Sequence, residues 1–159
     1  MEDVEPLEPV IWFHSIRKML ERGDAVSADA LEMLLRHGFH LLQLTPRPLR
    51  ETIGAEVSEA EFERLLAAKA FESAAERLVS PPLAYALRRP RVGLYEAEVR
   101  LPGETGATLA QGPSFALALL RAWGTCLLAL EERAATLASA RPRDRHTRRG
   151  ERHLRLIEH

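Results

Sequence analysis

Histidine, cysteine and clustered carboxylates are the residues of this chain that could do chemistry, and their spacing says how little of it they are arranged to do. His37-Gly38-Phe39-His40 holds the closest histidine pair. A gap of three puts two imidazoles on one helical face, but no Cys, Asp or Glu nearby completes a zinc-like spacing. Gly38 is also expected to end the helix that carries His37. These histidines therefore read as partly buried or capping groups. Cys126 lies in Trp123-Gly124-Thr125-Cys126-Leu127-Leu128, amid apolar residues in the middle of a helix. An apolar setting raises a thiol pKa, and a catalytic thiolate needs a helix N-terminus or a basic partner. Cys126 is thus expected to fill core space. Glu59, Glu61 and Glu63 read as a solvated helix face. No G-x-S-x-G, phosphate-binding loop or G-x-G-x-x-G stretch occurs. No catalytic residue, metal or cofactor is assigned, and the reading leans away from an enzyme.

Phosphate binding is the other chemistry to weigh. Net charge is −1, yet residues 141–159 carry +4 and the rest −5. Arg141, Arg143, Arg145, Arg148 and Arg149 in this basic, flexible tail, with Arg88, Arg89 and Arg91 in the body, are the nucleic-acid candidates. A helix-turn-helix across Leu49 to Leu66 is disfavoured. Its turn, Gly54 to Ser58, is too long, and its second helix opens on glutamates that phosphate would repel. The polar strand face, Glu96, Glu98 and Arg100, lacks the stacking aromatics of an RNA-reading sheet.

The elements that would position these residues follow from periodicity. Ile11, Trp12, Ile16, Met19 and Leu20 recur at helical spacing over Val10 to Arg22, with Gly23 as a stop. Ser27 caps a second helix carrying Leu31, Leu34 and Leu35 to Gly38. Phe39 to Leu44 fits either helix or strand, and Thr45-Pro46-Arg47-Pro48 breaks it. Ser58 to Glu61 is a capping box opening a helix to Ala68, and Phe71 to Val79 forms another. After Ser80-Pro81-Pro82 the period changes to two. Leu83, Tyr85 and Leu87 alternate with polar or small residues; Arg89 to Gly93 turns the chain; Tyr95, Ala97, Val99 and Leu101 alternate again. Pro102-Gly103 suits a type II turn, and Ala107 and Leu109 continue a third strand. Ser114 caps a final helix whose polar residues Ser114, Arg121, Thr125 and Glu132 fall within about 40° of one meridian. A helix so widely apolar must be covered from more than one side. The sheet supplies one cover; the N-terminal helices or a second subunit supply the other.

The fold class expected is α+β: a helical segment (1–80) packed as one unit with a three-stranded antiparallel sheet and a long, mostly buried helix (81–140), then the tail (141–159). The longest apolar run, Phe115 to Leu130, contains Arg121 and is shorter than the roughly 18 to 20 residues a membrane span needs, so no membrane is expected. The acidic N-terminus shows no secretory signal, and one cysteine allows no internal disulfide; both suit a cytoplasmic setting. Glu98 to Trp123 resembles the strand, Pro-Gly turn, strand, G-x-S and helix segment of HicB-type antitoxins and of small phage proteins with a similar sandwich. Pro102, Gly103, Gly112, Ser114 and the Ala/Leu-rich helix start carry that resemblance. It implies an antitoxin-type regulator with a protein partner and DNA association. The residues themselves favour an interaction or adaptor protein, binding an unidentified protein or itself as a homodimer, with Trp12, Phe13 and Trp123 as interface candidates.

Overall fold

The computed structural model describes residues 4–22, 27–54, 56–79 and 81–140, without the side chains of 137–140. Gly23 and the tail arginines Arg141, Arg143, Arg145, Arg148 and Arg149 lie outside the described residues. The helices α1 (Pro9–Glu21) and α2 (Ala28–Gln43) are followed by a short 3-10 turn (Arg47–Leu49) and a single helical turn, α3 (Arg50–Ile53). Then come α4 (Glu59–Ala67) and α5 (Phe71–Leu78), strands β1 (Ala84–Arg91), β2 (Leu94–Arg100) and β3 (Thr108–Gly112), and the long α6 (Phe115–Ala140). The strands form one antiparallel sheet in chain order. The fold is α+β, with N-terminal helices and the sheet gathered on α6.

Local chemistry accounts for the helix boundaries. Ser27 Oγ accepts from the Ala30 amide at 3.1 Å, and Ser114 Oγ from the Leu117 amide at 3.2 Å, each satisfying a donor that the helix leaves open. Ser58 likewise accepts from Glu61, but Glu61 does not complete the capping box; it pairs with Arg77 of α5 at 2.8 Å. Gly38 does not end α2, which runs on to Gln43. The reason is tertiary. A Cβ at Gly38 would lie 3.1 Å from Leu78 Cδ1 and 3.2 Å from Leu120 Cδ1, so the glycine lets α5 and α6 approach mid-helix. The extension settles Phe39 to Gln43 as helix and buries Phe39, which stacks on Phe62 with ring centroids 4.6 Å apart.

β1 is longer than expected. Arg89-Pro90-Arg91 belongs to the strand, with a bulge between Arg88 and Arg91, and the turn is confined to Val92-Gly93. Pro102-Gly103 does form its turn: Glu104 N–H donates to the Leu101 carbonyl and Gly103 takes φ 74°. β3 then enters one register away from the expectation. Thr108, Ala110 and Gly112 lie opposite Val99, Ala97 and Tyr95 on the helix-facing side, while Leu109 sits opposite Glu98 and is 56% exposed. Close packing explains the small residues, because a Cβ on Gly112 would stand 3.1 Å from the Ala118 backbone nitrogen of α6.

α6 is covered on one side by β2 and β3 and on others by α1, α2 and α5. Leu117, Leu119, Trp123 and Leu127 are fully buried, whereas Arg121, Thr125 and Glu132 keep contact with solvent, as their shared meridian requires. The chain's own N-terminal helices thus supply the second cover. Among the described residues, no helix is long and apolar enough to cross a membrane.

Candidate interaction surface

The aromatic interface candidates are spent inside the fold. Trp12 and Trp123 are fully buried and Phe13 nearly so. Trp12 donates through Nε1 to the Leu41 carbonyl at 2.7 Å, tying α1 to α2, and meets Phe13 edge-on. Trp123 Nε1 is buried without a hydrogen-bond partner among the described residues. These rings are anchors of the core, not a face offered to a partner. The apolar excess that suggested an interface is absorbed by α1, α2 and α5 packing on α6.

The histidine pair falls on a continuous helix after all. His37 and His40 line a groove of 460 Å³ with Arg22, Ala30, Met33, Leu34 and Arg36. Burial lowers the His37 pKa, aided by the positive charge of Arg22 and by His40. Arg36 is already committed: it donates twice to Glu63 of α4 at 2.9 Å and once to Glu32 at 3.2 Å. Those bonds hold Arg36 above its ordinary pKa and Glu63 below. Lys69 and Arg36 together hold the Glu32 carboxyl down. Glu61 and Glu63 are therefore half of an interhelix ion-pair clamp rather than a free solvated face. Among the described residues, no three His, Cys, Asp or Glu side chains group to hold a metal. Cys126 is buried, and burial pushes its thiol pKa up.

The body arginines are divided by the sheet. Arg88 projects to the outer face, 2.8 Å from Glu96 and 3.7 Å from Glu98, and Arg100 reaches the same Glu98 at 2.9 Å. Gln111 extends this ladder to β3 through Glu96 at 3.1 Å. Arg89 turns to the other face, its guanidinium 5.3 Å from the Tyr95 ring centroid, where cation and ring attract. Arg91 is exposed at the hairpin end. Two carboxylates beside Arg88 neutralise the field that would draw phosphate, so these three do not form one anion-binding patch. The helix-turn-helix between Leu49 and Leu66, disfavoured from the sequence, also lacks a full first helix, since α3 is one turn long.

What sequence reasoning missed is β1 as a backbone surface. Both β1 and β3 are sheet edges. On β3, Arg121 of α6 donates to the Gln111 carbonyl at 2.8 Å. β1 is longer, seven of its eight residues are exposed, and α6 packs on β2 and β3 instead. Among the described residues, its backbone hydrogen-bonds only to β2. The six residues ahead of Pro90, Ala84 to Arg89, present a free edge that is a template for one more strand. On the helix-facing side it shows Tyr85, 40% exposed, and half-buried Leu87. Burial and the neighbouring carboxylates Glu76 and Glu72 of α5 raise the Tyr85 pKa. The missed signal was Ala84 to Leu87, an apolar, uncharged half-strand followed by Arg88, Arg89 and Arg91. No family model, curated protein or solved structure matches this chain.

Proposed function

We propose that this chain is a non-enzymatic interaction protein that receives a partner strand on the open edge of β1. One observation carries the reading: seven of the eight β1 residues are exposed, its outer backbone edge is unpaired among the described residues, and α6 packs chiefly on its neighbours. Strand addition takes affinity from main-chain hydrogen bonds and selectivity from alternate side chains. Tyr85 and Leu87 would supply the apolar contacts here. A cytoplasmic setting belongs to the same proposal, supported by a lone, buried cysteine.

The test places a photo-crosslinking residue at Ala86, with a control at Val10, which is exposed on α1 far along the chain from the sheet. Adducts formed in cells at Ala86 and not at Val10 are expected. Adducts at Val10 alone, or at neither position, overturn the reading. A second reading, an antitoxin-type or nucleic-acid-associated regulator, is favoured by the +4 charge of residues 141–159. It predicts salt-dependent binding to nonspecific DNA or RNA that is lost on removing those residues. Equal binding by both chains, or none by either, overturns it.

A further inference from the structure

We infer that the strand received by β1 is β1 of a second copy, paired antiparallel about a two-fold axis near Leu87. The inference rests on the edge-strand reading above and names its occupant. Charge along β1 is segregated: residues 84–87 carry none, and Arg88, Arg89 and Arg91 crowd the other half. A parallel partner would set arginine against arginine, which is repulsive across a sheet. An antiparallel exchange about Leu87 instead places Arg89 of one copy opposite Tyr85 of the other.

The arrival site is acidic: Glu76 and Glu72 of α5 are the charged groups that, after burial, hold the Tyr85 hydroxyl above its ordinary pKa. Tyr85 pairs with buried Val99, so it lies on the helix-facing side of the sheet. Arg89 is held on that same side by the Tyr95 ring. The two-fold operation therefore brings a cation to a carboxylate pair twice, once at each end of the joint. Between them the two half-buried Leu87 side chains meet at the axis and leave water.

The arrangement also closes. Pro90 has no N–H to offer a ladder and stops pairing beyond Arg89. A two-fold contact uses the same edge on both copies and leaves no β1 edge for a third. The remaining edges of the six-stranded sheet are the short β3 strands, where Arg121 occupies the Gln111 carbonyl.

Sedimentation equilibrium of the full chain over a wide dilution series tests this. The expected mass rises from 17.8 kDa to twice that value with concentration. Arg89→Glu faces Glu76 with a like charge and should weaken the dimer by about tenfold or more, with the circular dichroism spectrum unchanged. Combining it with Glu76→Arg should restore dimerisation. Amide exchange on the unaltered protein gives an independent measure: residues 84–89 should exchange more slowly as concentration rises. A chain monomeric throughout, a dimer indifferent to Arg89→Glu, or exchange in 84–89 independent of concentration overturns the inference. A monomeric chain that still yields Ala86 adducts with another protein refutes the self-pairing alone, whereas loss of both refutes the edge-strand reading itself.

Discussion

Single residues set limits that their neighbours enforce. Gly54 ends α3 at φ 44°, and a Cβ there would stand 2.9 Å from Pro82 Cδ. Left-handed backbone costs an L side chain roughly 1–2 kcal/mol, and the proline ring has little room to yield. Gly54→Ala should therefore destabilise the fold by about 1–3 kcal/mol in urea titration. Cys126 should resist thiol reagents in the native protein and react promptly once unfolded, because burial keeps it protonated and unreachable. Rapid native labelling would contradict this placement. Both residues carried readable signals: an apolar setting around Cys126, and a glycine after Ile53. Gly38 did not, because a helix stop and a close-packing site look the same in sequence. The difference lies in Leu78 and Leu120, which are 40 and 82 positions farther along the chain.

At the scale of elements, α2 and α4 are joined by the Arg36 fork on Glu63 and Glu32, with Lys69 closing the cluster. These groups are largely solvated, so Arg36→Ala should cost under about 1 kcal/mol, and raising the salt should shrink the difference. His37 gives α2 a pH dependence. Its pKa is lowered on folding, so the unfolded chain binds the proton more readily. Stability from this group is full above the ordinary imidazole range and falls as pH drops through it. His37→Gln should flatten that part of a stability-against-pH profile, leaving the losses from Glu32 and Glu63 at more acid pH, where depressed carboxylates take up protons. An unchanged profile would remove His37 as the cause. Helix starts here were legible because Ser27, Ser58 and Ser114 act on amides three residues away. The register of β3 was not. Alternation says that residues two apart share a face, and only the closeness of α6 decides which face takes Leu109.

For the whole molecule, α6 is the common core of both halves of the chain. Leu127 is fully buried on it, and Leu127→Ala should cost about 2–5 kcal/mol. Trp12 reports on α1 and Trp123 on α6, both at the same packed centre. Tryptophan fluorescence and far-ultraviolet circular dichroism should therefore follow one urea transition, before and after Leu127→Ala. Separate midpoints would mean that the halves unfold independently.

The candidate surface shows where sequence ended and tertiary structure began. Period, caps and turn residues determined the five longer helices, the three strands and the meridian of α6, since each depends on atoms a few bonds or one turn apart. The width of that apolar face also demanded covers on more than one side. Which elements supplied them was decided only in three dimensions, because Trp12, Phe13 and Trp123 look alike whether they fill a core or await a partner. The openness of β1 was equally a tertiary outcome. Its residues announce a strand, but its freedom comes from α6 lying over β2 and β3 and leaving the strand beyond them largely exposed.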